Sequence, residues 1–314
     1  MTAAASRPAV ILTINVRHYF QASAFADTVR PQDWDWYPSR YEETVSQLLD
    51  LFAAENARAT FFVLGWHARH RPAVVRRIAE AGHEVACSGT IGRPLVDLTV
   101  AGFTGSVAAA RDAIEDAAGV PVAGWRAPAY ALHPRSTWVF EVLQSLGFTY
   151  DSSLAPRGPR RAAPYQPPAF RIGDLWEVPP SRVNWFGKRF LPDTGSLRHL
   201  PFRLYRRLLE GTVGSAPTRP VLCLSSWEFD ADQPRLYAPT GNRWLHYRNL
   251  GSTNWKLKLL LRQYRALGVM DAIHGGAMAA AGDPAEVGAD DAYQIAPSGP
   301  VVAPPRSSWW RVTP

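Results

Sequence analysis

The sequence predicts an α/β fold built on a parallel sheet, either open or closed into a barrel. Two patterns carry this prediction: short continuous runs of β-branched and aromatic residues alternate with helical apolar patterns, and the alternation repeats at about the length of one strand–helix unit. Composition is consistent, since 46% of the 314 residues are hydrophobic and 19% are charged. A chain of this size has enough apolar surface for one large core, with or without a small satellite.

The first part of the chain alternates three predicted strands with three predicted helices. Strands buried on both faces are predicted for the apolar runs AVILTINV, ATFFVLGW and EVACSG. Helices are predicted for RYEETVSQLLDLFAAENA and RPAVVRRIAEAGH, the second with Pro72 near its start and Gly82 past its end. A third helix, GSVAAARDAIEDAAG, has Thr104 as its predicted N-cap and Gly119 as its predicted end.

The second part continues the same alternation and then changes composition. Strands are predicted for VAGWRAP, LWEVPP and PVLCLSSWEF. Ser136 is the predicted N-cap of TWVFEVLQSLGF, and further helices are predicted for FRLYRRLLEGT and NWKLKLLLRQYRALG. From about Gly276 the chain is rich in Ala, Pro and Gly, so we expect a folded domain over residues 1–275 and a disordered tail over 276–314.

Charge and motif content narrow the range of partners. The formal net charge is +7 and the pI is about 9.6, and the arginines are spread over several segments. They fit solvated helix faces, or a patch for an anionic substrate or surface. The chain has neither zinc-finger spacing nor an aromatic ribonucleoprotein motif, which argues against nucleic-acid binding. Its two cysteines, Cys87 and Cys223, lie in apolar strands and are predicted to be buried free thiols.

The amino terminus and the hydropathy pattern indicate in which cellular compartment the protein is expected. No run of eighteen or more apolar residues occurs, so no membrane span is predicted. The first apolar run ends at Arg17 and His18, and it lacks the charged start and the cleavage site of a signal peptide. A cytoplasmic protein is the simplest interpretation.

Four unusual segments each follow a predicted strand: NVRHYF, CSGTIG, RAPAY and SSWEFD. Functional residues of parallel α/β folds gather at the carboxyl ends of their strands. We therefore expect these four segments to converge in space and to form the functional site.

The order of these and other motifs resembles the polysaccharide deacetylases with the NodB homology fold, in the branch associated with exopolysaccharide and exosortase loci. The resemblance runs from Val10 to Met270. It rests on LTINVRHYFQASAF, ATFFVLGWHA, RRIAEAGHEVA, GWRAPAYAL, GFTYDSSLAP, LWEVPPS, WEFDADQPR and HYRNLGST. It implies a distorted (β/α) barrel of the NodB homology type.

The resemblance also implies a chemistry, and this sequence departs from it. Family members hydrolyse an N-acetyl group with a divalent metal, usually zinc, which one aspartate and two histidines hold. The family's first-strand carboxylates correspond here to Asn15, Arg17 and His18. Its two metal histidines correspond to Ser88 and Gly92. A neutral amide, a cation, a hydroxyl and a bare glycine are a poor zinc site, so we predict no metal and no cofactor.

Proton transfer is affected in the same way, while the surroundings stay similar to the family. The catalytic histidine of the late strand corresponds to Ser225, and Trp227 and Glu228 follow it as in the family. The arginine that orients the catalytic aspartate in the family corresponds to Arg126, whose partner would now be Asn15. Arg126 is therefore expected to brace the strand ends, to pair with Glu228 or to bind an anionic ligand.

Three functions are compatible with this pattern. The first, favoured by the sequence, is a metal-independent enzyme of polysaccharide or natural-product biosynthesis that performs isomerisation, elimination or cyclisation. It would use His18 and Glu228 as acid and base, and Arg126 to stabilise negative charge. Its substrate is a small molecule or a saccharide, for which the net charge permits an anionic group. The residues predicted to contact it are Asn15, Arg17, Ser88, Trp125, Tyr130, Asp151, Ser225 and Trp227.

The second function is non-catalytic saccharide binding, for which Trp34, Trp36 and Tyr37 would supply stacking surfaces. The third is a residual N-deacetylase with a rebuilt site. Structural roles are the alternative for individual residues: His18 as a buried structural histidine, Trp125 as packing and Glu228 as the structural partner of an arginine.

Overall fold

The protein is described by a computed structural model that covers residues 7–91, 98–128, 138–154, 169–181, 183–185, 188–190, 192–213 and 219–276. Its strands are β1 Ala9–Asn15, β2 Thr60–Val63, β3 Glu84–Cys87, β4 Gly124–Trp125, β5 Tyr150–Asp151, β6 Phe170–Ile172, β7 Leu175–Glu177, β8 Val183–Trp185, β9 Lys188–Phe190, β10 Val221–Ser225 and β11 Arg265–Leu267.

The helices mostly separate consecutive strands. They are α1 Tyr41–Ala54, α2 Gly65–His70, α3 Pro72–Glu80, α4 Val100–Ala118, α5 Trp138–Ser145, α6 Thr194–His199, α7 Phe202–Val213, α8 Thr240–Tyr247, α9 Thr253–Gln263 and α10 Val269–His274. Short 3₁₀ turns follow β1 and β10, where the chain leaves the sheet. No helix within the described residues is long and apolar enough to cross a membrane.

The main sheet is parallel except at one edge and curves into an incomplete barrel. Its strand order is β10-β1-β2-β3-β4-β5-β7-β6, with β11 also paired to β1, and only β6 runs antiparallel to its neighbour β7. Ser181, just after β7, reaches the far edge, where the Val221 backbone N–H donates to its Oγ at 2.6 Å. The predicted α/β fold with a distorted barrel is confirmed.

Side chains of β1 alternate between two cores. Leu12 and Ile14 pack in the layer between sheet and helices, whereas Ile11 belongs to the smaller cluster inside the barrel. Because successive side chains of a strand point to opposite faces, Thr13 and Asn15 follow Ile11 into the interior. The last inward position of β1 therefore places Asn15 at the mouth, the carboxyl end of the barrel.

Several local predictions are confirmed and two are wrong. Both cysteines are buried free thiols, and Gly119 ends α4 with φ of 73°. Thr104 is not the N-cap of that helix: α4 begins one turn earlier, and the Thr99 side chain accepts from the Gly102 N–H instead. The predicted late helix ends at Gln263, and its last residues form β11 because they pair with β1.

Two predictions fall outside the described residues. The predicted cap Ser136 lies there, and so does the predicted tail from residue 277 onward. The division between residues 275 and 276 stays a prediction.

Candidate functional site

Four strands bring predicted site residues of all four segments to the mouth of the barrel. Asn15 ends β1 and lies beside Ser225, the last residue of the neighbouring strand β10. Ser88 directly follows β3, and Arg126 directly follows β4. These inward positions at adjoining strand ends form the polar mouth that the sequence predicted from its convergent segments.

Arg126 is buried, and neutral oxygen atoms surround its guanidinium. Its Nη1 donates to Thr13 Oγ1 at 2.9 Å and to Asn15 Oδ1 at 3.2 Å. Its Nε and Nη2 donate to the carbonyl and the hydroxyl of Ser152 at 3.2 and 2.8 Å. The guanidinium carbon lies 3.8 Å from the centre of the Phe62 ring. Arg126 therefore braces β1, β4 and β5 at the mouth with its positive charge held in place.

Arg17 places a second guanidinium at the same mouth. Its Nη2 donates to Ser88 Oγ at 2.8 Å, and Ser88 Oγ donates to the Arg126 carbonyl at 3.1 Å. The Arg17 backbone is fixed by Ser226, whose hydroxyl accepts from its N–H and donates to its carbonyl, both at 2.9 Å. A cation thus contacts Ser88, the serine that the resemblance predicts in place of a metal histidine.

The solvent side of the mouth carries the partly exposed side chains. Asn15, Arg17, Ser225 and Trp227 are partly exposed, whereas Ser88 and Arg126 beneath them are buried. A molecule that reaches the mouth therefore meets an amide, a guanidinium, a hydroxyl and an indole ring.

His18 faces a different environment, an aromatic cluster beside the mouth. Its ring stacks on Phe20 at 4.6 Å and lies 4.7 Å from Tyr41, 5.6 Å from Trp66 and 5.3 Å from His67. Burial, and secondly the charge of Arg71, lowers its pKa to about 3. His18 is therefore a neutral ring at physiological pH.

Glu228 also lies apart from Arg126, in an ion pair that the sequence did not identify. Its Oε2 is 3.3 Å from Nε of the buried Arg198. Burial raises the pKa of Glu228 to about 8 although Arg198 opposes the shift. The expected alternative of an Arg126–Glu228 pair is thus replaced by an Arg198–Glu228 pair. Next to it, the Trp227 ring stacks on His246 at 4.1 Å.

Trp125 and Asp151 point to the other face of the sheet. Trp125 is buried in the layer under the helices, with its ring 5.5 Å from that of Phe103. Asp151 pairs in register with Glu177 on β7, and both are fully buried. Burial raises the pKa of Asp151 to about 6 and that of Glu177 further, as two carboxyl groups share one site.

Other predicted contacts are spread around the mouth or lie outside the described residues. In the aromatic loop, Trp34 is buried against Trp66 at 5.4 Å and Tyr37 stacks on Phe20 at 5.1 Å, while Trp36 is 83% exposed. Tyr130 and Gly92 lie outside the described residues.

The residues of this mouth do not fit the metal that the family fold implies. Within the described part of the chain, no three His, Cys, Asp or Glu side chains are grouped so that they could hold a metal ion. Zinc needs about three such ligands, and here Arg17 would bring a positive charge next to it. Asn15 and Ser88 are neutral, and both are bonded to the arginines.

Sequence reasoning missed Arg198, Glu177 and Ser226. Arg198 belongs to an arginine-rich stretch that fits solvated helix faces, so its burial had no signal in the sequence. Glu177 could have been found, because it lies inside a predicted strand, where a carboxylate needs a partner. Ser226 follows Ser225 directly. Because successive side chains of a strand point to opposite faces, either of the two serines could have been the one that contacts the first strand.

Comparison with known proteins gives a match to one named family. The model of the polysaccharide deacetylase family matches residues 33–150. These residues correspond to a polysaccharide deacetylase domain. A domain of unknown function, DUF3473, matches residues 149–273 of the deacetylase-like chain, so that the two models together extend over most of the described structure.

Curated relatives of this deacetylase domain match over a short segment. Chitooligosaccharide deacetylases of Rhizobium leguminosarum bv. trifolii and Sinorhizobium fredii are 52% and 48% identical over 40 residues. That segment is 13% of this chain and spans only 19% of the length of either relative.

A solved structure supports the deacetylase fold over a greater length. It is a Mycobacterium smegmatis protein described as a polysaccharide deacetylase, 20% identical, with a TM-score of 0.56. The match covers 88% of this chain and 92% of that one. At this identity the likeness concerns the fold alone.

Proposed function

We propose that the mouth of this deacetylase-like barrel binds a saccharide without zinc-dependent deacetylation. The observation that carries the proposal is the hydrogen bond from Arg17 Nη2 to Ser88 Oγ, 2.8 Å long. It puts a guanidinium where the family's chemistry needs a metal histidine, and Asn15 replaces the carboxylate that would act as a base.

The partly exposed groups of the mouth suit the recognition of sugars. Asn15 and Ser225 can exchange hydrogen bonds with hydroxyl groups. The exposed part of the Trp227 ring, one face of which stacks on His246, offers an apolar surface for a pyranose ring. Arg126 and Ser88 hold these groups from below. A site whose side chains are fixed before the ligand arrives loses little conformational entropy on binding.

Charge favours an acidic saccharide over a neutral one. Arg17 and Arg126 bring two guanidinium groups to one mouth, and the chain has a net charge of +7. A guanidinium forms paired, charge-assisted hydrogen bonds with carboxylate. A sugar acid is therefore the expected ligand class, bound more weakly as salt is added.

Calorimetric titration with uronate oligosaccharides and with neutral chito-oligosaccharides tests the proposal. We expect binding of the acidic series and about a tenfold weaker affinity for Arg17→Ala, because one charge-assisted contact is lost. Arg30→Ala is the matched control, since the side chain of Arg30 is 72% exposed on a 3₁₀ turn. Equal affinity of both variants for every ligand would refute the role of the mouth.

Acetate release distinguishes binding from hydrolysis. We expect no acetate from N-acetylated oligosaccharides with or without added zinc, and less than about a tenth of an equivalent of zinc after dialysis. Zinc-dependent acetate release, or nearly one equivalent of bound zinc that is lost on changing His18, would establish a rebuilt deacetylase instead.

A second candidate is a metal-independent enzyme that moves protons, as in isomerisation, elimination or cyclisation. The observation in its favour is Glu228, whose pKa is raised to about 8 by burial, so that it is mostly protonated at pH 7 and can donate a proton. His18 is less suited to this chemistry, because its pKa is lowered to about 3. Turnover of a uronate oligosaccharide, detected by mass spectrometry and abolished in Glu228→Gln, would favour the enzyme over the binder.

A further inference from the structure

A cluster of apolar side chains is exposed where α8 ends and α9 begins. Trp244 is 58% exposed, Leu245 is 53% exposed and Trp255 is 50% exposed. Phe202, the first residue of α7, lies beside Trp255 with a ring separation of 6.4 Å. Single exposed apolar residues are ordinary, but a group of large ones indicates a contact surface.

Two buried cations hold these helix ends together. Arg198 of α6 donates to the carbonyl of Leu245 at 3.1 Å and to that of His246. Lys256 of α9 donates through Nζ to the carbonyls of Leu197 and Arg198 at 3.0 and 2.8 Å. The ends of α6 and α8 and the start of α9 are therefore fixed relative to one another, so the exposed side chains form one preformed surface.

Positive charge surrounds this cluster. The guanidinium carbon of Arg248 lies 4.4 Å from the centre of the Trp244 ring, and Arg243 precedes that tryptophan directly. Lys258 is exposed three residues after Trp255, which places both on one side of α9. We call these seven residues the α8–α9 patch; its members are Phe202, Arg243, Trp244, Leu245, Arg248, Trp255 and Lys258.

Negative charge is missing from the same stretch of chain. Between Asp232 and Asp271 the sequence has seven arginines and lysines but neither aspartate nor glutamate. Among the ion pairs within the described residues, none includes Arg243, Arg248 or Lys258. The charges of the α8–α9 patch are thus not neutralised by carboxylates of the described chain.

The field of these cations is visible at a neighbouring side chain. The pKa of His199 is lowered to about 4, mainly by burial and in addition by the positive charges of Arg198, Arg248 and Lys256. Of these three cations Arg248 belongs to the α8–α9 patch, and Arg198 and Lys256 are the two buried cations beside it. A partner that brings negative charge would relieve this repulsion.

We propose that the α8–α9 patch docks the protein on an anionic lipid surface. The indole rings of Trp244 and Trp255 and the side chain of Leu245 enter the headgroup region, and Arg243, Arg248 and Lys258 contact phosphate groups. Tryptophan prefers the membrane interface, and basic residues next to exposed apolar ones are the composition of surfaces that lie on bilayers.

Lipid is a better occupant than an acidic glycan. Both would satisfy the arginines and the lysine, and both could use the indole rings. Leu245 discriminates, because an exposed aliphatic side chain gains by leaving water for acyl chains but gives a sugar ring little to bind.

Flotation of the full chain with vesicles tests the proposal. We expect binding to vesicles of phosphatidylcholine mixed with phosphatidylglycerol, weak binding to phosphatidylcholine alone, and loss of binding as salt is added. The double variant Arg243→Gln, Arg248→Gln should weaken binding about 30-fold, and Trp244→Ala with Leu245→Ala should weaken it at least about tenfold.

The control variants carry the same types of change elsewhere on the surface. Trp36→Ala removes an indole that is 83% exposed, and Arg69→Gln removes an exposed charge on α2. Both should float like the original chain, and circular dichroism checks that every variant is folded. Equal loss in the controls, equal binding to neutral vesicles, or binding to soluble alginate in the absence of vesicle binding would each overturn the proposal.

Discussion

The two ends of the barrel interior hold polar clusters of opposite kinds. At the amino end, the carboxylate of Glu84 accepts from Tyr150 Oη at 2.7 Å, from the Met270 N–H at 3.0 Å and from the Thr60 hydroxyl. At the mouth, the guanidinium of Arg126 donates to neutral oxygen atoms. One end is an anion among donors, and the other is a cation among acceptors.

The difference separates stability from function. The donors around Glu84 come from β2, β5 and α10, so one side chain ties three elements together. At the mouth, Asn15 and Arg17 remain partly exposed above Arg126. In barrels of parallel strands, polar residues at the amino end are typically structural and those at the carboxyl end are functional.

The largest expected effect is on stability at the amino end. Glu84→Ala leaves the hydroxyl groups of Thr60 and Tyr150 and the Met270 N–H without their acceptor. We expect a loss of about 3 kcal/mol in the free energy of unfolding, measured with urea. Glu80→Ala on the exposed side of α3 is the control, with an expected change within about 0.5 kcal/mol.

The comparison between the two ends would fail if Glu84→Ala were as mild as Glu80→Ala. It would also fail if Glu84→Ala weakened saccharide binding by the folded protein, since the amino end would then contribute to the site.

The pH dependence of stability should differ between the two ends. Burial lowers the pKa of His18, beside the mouth, from 6.5 to about 3. Below pH 6.5 His18 binds a proton in the unfolded chain but stays neutral in the folded chain. The free energy of unfolding therefore falls as the pH drops from 6.5 towards 3. His18→Phe removes this group. Between pH 7 and pH 5 the variant should therefore lose about 2 kcal/mol less of its free energy of unfolding than the original chain does.

Glu84 acts in the opposite direction. Burial raises its pKa although three hydrogen bonds oppose the shift. Stability from this group is complete below the ordinary pKa of glutamate and falls as the pH rises through the raised value. The free energy of unfolding of His18→Phe and of the original chain is measured with urea between about pH 5 and 7. If both change with pH by the same amount, His18 is not the cause of the loss of stability in acid.

The sequence was sufficient to predict the strands and their ends, because apolar runs repeat along the chain. It was not sufficient to predict which face of the sheet each side chain points to. The strand runs that contain Ile11, Phe62 and Cys223 are apolar throughout, so strands and their carboxyl ends could be predicted together with the convergence of Asn15, Ser88 and Arg126. A run that is apolar on both faces does not reveal which of its residues point inward.

That ambiguity accounts for the placement of Trp125 and Asp151. Each is adjacent in sequence to a residue of the mouth network, Arg126 and Ser152, yet the alternation of the strand turns both to the helix side. Arg198 is a different case, because the sequence offers no sign that one arginine among several is buried beside Glu228. Its burial depends on how α6, α8 and α9 pack, which is a property of tertiary structure.

The smallest expected effect sharpens the contrast at the mouth. Asn15→Asp keeps the shape of the side chain and converts its hydrogen bond with Arg126, 3.2 Å long, into a charge-assisted one. We expect a gain of about 1 kcal/mol in the free energy of unfolding at neutral pH, measured with urea. A carboxylate beside a guanidinium has a lowered pKa, so the gain should vanish as the pH falls through that value. Asn15→Ala is the control and should lose stability, because one hydrogen bond of the buried Arg126 is lost.

The aspartate of Asn15→Asp should not bring zinc binding, since Arg17 still contacts Ser88. If zinc bound to Asn15→Asp alone, the guanidinium of Arg17 would not be what separates this mouth from a metal site.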